Sequence, residues 1–262
     1  MSDVYDYRPG ERPLLISIPH DGRNIPAAIR ERMTAAGRSI PDTDWHVEQL
    51  YEFAGDMGAH VIVARQSRYV VDLNRSADDG ALYPGQLSTG LCPSATFAGD
   101  PIYRGAPVAT REQRQRVRQY WQPYHDRIRT CLNAIKEQHG HALLWDAHSI
   151  PSSVPRLFDG ELPVLNLGSN DARSCRVSVE REVYVMAKRS SYSTVLNGRF
   201  KGGFITRHYG DPDKNVHALQ LEIAQRAYMD EHSGAFADGK AEKLRGTLRT
   251  LLLTFQRAAA GE

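Results

Sequence analysis

Apolar positions along the chain fall into short runs separated by polar, glycine- and proline-rich stretches, and the runs alternate with longer segments of helical period. Leu14 to Ile18, bounded by Pro13 and Pro19, is short enough for a buried strand, as are Val61 to Ala64, Tyr69 to Leu73, Ala142 to Ser149 and Pro163 to Leu167. Leu219, Leu221 and Ile223 alternate with Gln220 and Glu222, the period of two expected of a strand with one polar face. Helical spacing appears in Val47, Leu50, Tyr51 and Ala54, behind Asp42 or Asp44, either of which can cap the helix start. Arg111 to Gln138 carries Val117, Trp121, Tyr124, Ile128, Cys131 and Ile135 on one stripe, with His125 beside it as a structural residue and Pro123 predicting a kink. Arg176 to Ser190 reads as a mostly surface helix, since its charges fall on several faces, and the tail from Asp238 as an amphipathic helix on Leu244, Leu248, Leu251, Leu252 and Phe255. Strands interleaved with helices, and no repeat, linker or low-complexity segment, predict one α/β domain over residues 1–262.

Two stretches escape this alternation. Ser76 to Pro107 is rich in Gly, Pro, Ser and Asp and too long for a mere connection, which leaves an active-site covering or a disordered insertion; Tyr83, Phe97 and Tyr103 argue for order. Gly198 to Gly210 is basic and glycine-rich but matches neither the P-loop nor GxGxxG, so a flexible substrate loop is expected, with Arg207 and His208 as anion binders.

Composition narrows the function classes. With 41% hydrophobic and 24% charged residues over 262 positions, the chain is an ordinary globular protein, and no run approaches the roughly 18 apolar residues of a membrane span. Met1 to Arg12 is polar and acidic, without the pattern of a secretory signal. A net charge of +2 gives no reason to expect nucleic acid. Cys92, Cys131 and Cys175 are odd in number, far apart and without a CxxC pair, which points to reduced thiols in the cytoplasm and not to a cysteine zinc site. Cys92 and Cys175 fall in loop-like segments, where a reactive thiol would be found.

Candidate chemistry collects at the ends of the expected strands. His20 follows Leu14 to Ile18, and Asp146, His148 and Ser149 end the strand that begins at Ala142. In α/β proteins ligands bind at the carboxyl ends of strands, so polar groups there are candidates for function. Asp44 stands at a helix start, and a glutamate such as Glu222 on the inward face of a strand is costly unless paired or near a metal. Two histidines and one carboxylate with an open fourth position form the ligand set of a catalytic zinc site. Asn74 and Arg75, side by side, can hold a carboxylate through a bidentate pair plus an amide hydrogen bond.

The segments Ser17-Ile-Pro-His-Asp-Gly22, Asp42-Thr-Asp-Trp-His46, Ser67-Arg-Tyr-Val-Val-Asp-Leu-Asn-Arg75, Asp146-Ala-His-Ser149, Asn197-Gly-Arg-Phe-Lys-Gly-Gly203 and Thr206-Arg-His-Tyr-Gly210 resemble, in order, the motifs of the N-formylglutamate amidohydrolases, the deformylases of histidine degradation. The resemblance runs from about Leu14 to Glu231 and is weaker between Arg173 and Tyr192. It implies a fold similar to the zinc carboxypeptidases: a mixed, mostly parallel sheet between helices, with the metal at the strand ends. It implies Zn2+ or another divalent ion on His20, Asp44 and His148, and Glu222 as general base. The carboxypeptidase pattern has a glutamate three residues after its first histidine; Arg23 stands there in this chain, so Asp44 is the middle ligand, with Asp42 and His46 as rivals. Asp146 would orient a ligand histidine, the Asn74 and Arg75 pair would hold a substrate carboxylate, and Arg68, Arg75 and Arg207 are the clamps for the two carboxylates of N-formyl-L-glutamate. The products are L-glutamate and formate. A related zinc amidohydrolase of another N-acyl amino acid is the nearest alternative, and a metal-free acidic amino-acid binding protein the alternative of a different class.

Overall fold

A computed structural model describes residues 4–80 and 89–261. In chain order the strands are Tyr5–Arg8 (β1), Leu14–Ile18 (β2), His60–Ala64 (β3), Ala142–Ile150 (β4), Leu165–Gly168 (β5), Thr194–Leu196 (β6) and Val216–Ala224 (β7). They form one sheet in the order β1-β3-β2-β4-β7-β5-β6. The four central strands run parallel, β1 and β5 are antiparallel to their inner neighbours, and β6 is parallel to β5. This is the mixed, mostly parallel sheet that was expected. Every residue of β2 and β4 is buried, as strands covered on both faces require, whereas β1 and β6 are short, half-buried edges with no apolar run.

Helices cover both faces. The short helices Ala27–Arg30 (α1), Ala35–Arg38 (α2) and Val47–Leu50 (α3) precede β3; Thr110–Arg116 (α4) and Gln122–His139 (α5) follow it, then Val177–Lys188 (α6), Phe204–Tyr209 (α7) and Asp238–Ala260 (α8). Strand alternation splits the core in two. Leu14, Ile16, Leu143, Trp145, Leu219 and Leu221 face α3, α6 and α8, while Leu15, Ile62, Leu144 and Ala218 face α5 and Ile205 of α7. The second face also receives Asp146, His148, Gln220 and Glu222, which therefore share one side of adjacent strands β4 and β7, with His148 directly opposite Glu222.

Four segments differ from expectation. Tyr69 to Leu73 is apolar but forms turns, because the carbonyls of Tyr69 and Val70 accept hydrogen bonds from the buried Arg116 guanidinium, at 3.3 and 2.9 Å, in place of a neighbouring strand. The bend expected at Pro123 is a π-helical turn, Val117–Trp121, lying between α4 and α5. α6 is no surface helix: Val179, Val183 and Ala187 recur every fourth position and are buried in the cluster that also holds α8. The second half of the glycine-rich stretch is α7, not a loop. Of the aromatics between 76 and 107, Tyr83 lies outside the described residues, while the Tyr103 hydroxyl donates to the Tyr69 carbonyl at 2.8 Å. Among the described residues no helix is long and apolar enough to cross a membrane.

Candidate metal centre and pocket

Three parallel strands deliver the central groups at their carboxyl ends: His20 just past β2, His148 in β4 and Glu222 in β7. The turn before α3 brings in Asp44, whose backbone N–H donates to the His20 carbonyl at 3.1 Å. Its carboxylate lies against both rings, Oδ2 standing 3.0 Å from His148 Nδ1 and 3.7 Å from His20 Nδ1, and it also accepts from the Ser149 N–H at 3.1 Å. One ligand atom from each of His20, Asp44 and His148 falls within 4.8 Å of the others, all three residues being buried.

The far side of each ring is held by a carboxylate. His20 Nε2 lies 2.8 Å from Asp72 Oδ1, and His148 Nε2 lies 3.2 Å from Asp146 Oδ2. Carboxylates only accept, so each Nε2 carries a proton and donates outward, which turns the Nδ1 side of both rings toward Asp44. The Asn74 side-chain amide converges on the same Asp146 oxygen at 3.1 Å and lies 2.9 Å from His148 Nε2. His20 Nδ1 is buried and has no hydrogen-bond partner among the described residues. A lone pair left unmet in a dry site is what a metal ligand looks like before its ion is added.

Charge gives the same answer. Asp44, Asp72, Asp146 and Glu222 are all buried here beside one buried arginine, Arg68, which pairs with Asp72 at 2.7 Å and Asp44 at 3.6 Å. Burying that excess of carboxyl groups is costly unless protons or a cation balance it. Burial alone would raise the Asp44 carboxyl, but the two histidines reverse the shift and hold it below the usual range. Burial likewise disfavours the charged His148 ring, yet Asp146 and Asp44 outweigh it and keep its pKa well above the ordinary value. Among the described residues the hydrogen bond to the Glu222 carboxyl is a long one, from Gln220 Nε2 at 3.4 Å, and burial pushes that carboxyl up to about 8. The donor set, two imidazoles and a carboxylate, fits a divalent cation.

A cavity of about 80 Å3 opens onto this cluster, walled by Arg68, Asn74, Arg75, Thr89, Phe97, Arg199, Phe200 and Gln220 among others. Segment 76–107 thus contributes Thr89 and Phe97 to the wall, and the Arg68 guanidinium lies over the Phe97 ring at 5.0 Å. Arg75 donates from Nη1 to the Asn74 carbonyl at 3.0 Å, while its buried Nε has no hydrogen-bond partner among the described residues. Asn74 reaches the cavity but is tied at both ends of its amide, Oδ1 accepting from the Ile205 N–H at 2.8 Å. Its packing explains Gly203: a Cβ there would stand 2.3 Å from Asn74 Nδ2. The preceding Gly202 has φ +107°, a conformation side chains rarely adopt.

The rivals to Asp44 point elsewhere. Asp42 accepts from the Tyr69 hydroxyl at 2.6 Å and the Phe97 N–H at 2.8 Å, and the His46 ring faces the Gly234 carbonyl and Phe236. Arg23 turns out to Asp21 and stacks over Trp45. Arg207 and His208 do not reach the cavity lining: Arg207 Nε donates to the Gly202 carbonyl, and His208 stacks on Phe204 at 4.7 Å. Arg199, Gln220 and Phe200 were not singled out in the sequence. Gln220 was within reach, since a period of two places it on the face of Glu222; Arg199 had no local signal beyond the basic stretch around it. Neither loop cysteine is activated, because burial pushes the Cys92 thiol up to about 11 and raises Cys175 as well.

Fold and site together define an α/β protein with a candidate divalent-metal centre at the strand ends. The model of the N-formylglutamate amidohydrolase family matches residues 12–229, and the chain belongs to that family. It is 52% identical to the N-formylglutamate deformylase of Pseudomonas putida over 233 residues, covering 88% of this chain and 87% of that one. To the N-formylglutamate deformylase of Pseudomonas aeruginosa it is 48% identical over 255 residues, 96% of each. The crystal structure of N-formylglutamate amidohydrolase from Ralstonia eutropha JMP134 matches with a TM-score of 0.82 at 26% identity, over 98% of this chain and 97% of that one. Atu2144 from Agrobacterium tumefaciens has the same fold, with a TM-score of 0.73 at 17% identity over 97% and 96% of the two chains.

Proposed function

We propose that the chain, acting as one catalytic domain over residues 1–262, is a cytoplasmic metal-dependent hydrolase that converts N-formyl-L-glutamate to L-glutamate and formate, as in the last step of histidine degradation. The observation that carries this reading is the buried trio His20, Asp44 and His148 with Glu222 opposite His148 at the floor of a cavity rimmed by arginines. The names of relatives at about half identity supply the substrate.

His20, Asp44 and His148 would hold the ion, with zinc favoured by the two imidazoles and other divalent ions acceptable to the same donors. When bound, it supplies Lewis acidity toward a water and the formyl oxygen. Glu222 takes a proton from that water as its oxygen adds to the formyl carbon, then delivers a proton to the nitrogen as the C–N bond breaks. Burial raises the proton affinity of the Glu222 carboxylate, which strengthens it as the acceptor of the water's proton. Asp72 and Asp146 fix the ring orientations of His20 and His148. Arg68, in the wall beside the cluster, faces the negative charge that develops on the formyl oxygen. Arg75 and Arg199, both in the cavity wall, take the two substrate carboxylates.

The test is product analysis. Purified protein should release formate and L-glutamate in equal amounts from N-formyl-L-glutamate, and release little acetate from N-acetyl-L-glutamate. Faster acetate release would assign the chain to another N-acyl substrate. Binding of glutamate without turnover, in protein that neither contains nor responds to divalent metal, would assign it to the binding proteins.

A further inference from the structure

Segment 72–75 carries Asn74 and Arg75 into the cavity through turns, so its carbonyls have no strand to pair with. Three in a row are met from outside. The Leu73 carbonyl accepts from His125 Nε2 at 2.9 Å, the Asn74 carbonyl from the Phe204 N–H at 3.3 Å, and the Arg75 carbonyl from Trp121 Nε1 at 2.9 Å. Buried carbonyls left unpaired are costly, and these bonds leave the segment little freedom.

Trp121 and His125 form one unit. They are four positions apart, and their rings stack with centroids 3.7 Å apart and planes at 22°. Trp121 is the last residue of the π-helical turn, whose extra residue per turn resets the facing of the helix at that point. His125 is buried, which pushes its pKa down to about 3 and keeps the ring neutral; a carbonyl only accepts, so its proton sits on Nε2. Neither residue lines the cavity.

We propose that Trp121 and His125 are positioning residues: gripping the carbonyls on either side of Asn74, they set the direction of the Arg75 guanidinium and thereby substrate affinity. The inference rests on the hydrolase reading above for its kinetic consequence, not for the clamp itself.

Trp121→Phe keeps the ring stack and removes the N–H. In formate-release kinetics KM should rise about tenfold with kcat changed less than about twofold, the pattern of lost binding and intact chemistry. Added to Arg75→Ala, the same change should raise KM little further, because both act through one guanidinium. His125→Gln, which retains a donor, should keep most of the affinity that His125→Phe loses. Independently of any substrate, amide hydrogen exchange at 73–76 should speed up in Trp121→Phe while exchange in α8 stays unchanged. A lowered melting temperature with KM unmoved, or fully additive effects with Arg75→Ala, would overturn the proposal. If the wild-type chain released no formate, the hydrolase reading would fall, and the exchange measurement would still decide the clamp, unchanged rates at 73–76 refuting it.

Discussion

β4 is buried along all nine residues, yet its two halves obey different rules. In the first half, Leu143 and Trp145 fill the layer under α8, with Trp145 5.9 Å from the Phe255 ring, and Leu144 faces α5. In the second half, Asp146 and His148 occupy equally buried positions, and each is met by a partner of matched charge or hydrogen-bonding sense. The apolar half needs shape alone, and several apolar residues would serve. The polar half needs every charge answered, and removing one partner strands another. β7 repeats the division beside it on the same face, Ala218 packing with Leu144 in the apolar layer and Gln220 and Glu222 following beside Asp146 and His148.

The comparison breaks most visibly at Glu222. Glu222→Gln keeps volume and burial, so the protein should fold and bind metal normally while kcat falls by about 100-fold to 10,000-fold. Near wild-type turnover in that variant would remove Glu222 from the chemistry. The converse experiment is Leu251→Ala in α8, where the loss should be about 2–5 kcal/mol of stability by denaturant titration, with kcat of the folded fraction unchanged. A large fall in kcat there would mean that the two halves are not separable.

Arg75→Ala should raise KM by about tenfold to a hundredfold, the worth of a hydrogen bond to a charged group, with a smaller effect on kcat. Unchanged kinetics would clear Arg75 of any contact with substrate. The smallest expected effect concerns His125. Its folded pKa of about 3 lies below the ordinary 6.5, so as pH falls through 6.5 the unfolded chain takes up a proton that the folded chain refuses. Its contribution to stability is thus constant above pH 6.5 and declines toward pH 3. Melting temperatures across that window should fall less steeply in His125→Phe than in the wild type, and equal slopes would show that the ring is not held neutral.

The same contrast explains what the sequence made legible. Central strands announce themselves as apolar runs because both faces are covered, and α8 and α5 announce themselves by period. The edges β1 and β6 are half-exposed and too short for either signal. Tyr69 to Leu73 misled because its apolar side chains are buried while its carbonyls are satisfied by Arg116 and His125, a solution no local pattern records. At the site, His20, His148 and Glu222 were visible from their places at strand ends. Asp44 was separable from Asp42 and His46 only in three dimensions, where Asp42 turns to Tyr69. Arg199 comes from a basic stretch whose neighbours Arg207 and His208 looked equally suitable, and only packing against Leu157 and Phe200 distinguishes it.

On this reading the polar half of β4 exists to hold a working cation. That role is tested most directly by following formate release from N-formyl-L-glutamate while metal is removed by a chelator and then returned in measured amounts. Turnover should disappear with the metal and return in proportion to zinc added, levelling off near one ion per chain, and His148→Ala should neither retain the ion nor recover. Full turnover in protein shown by elemental analysis to be free of metal would contradict it.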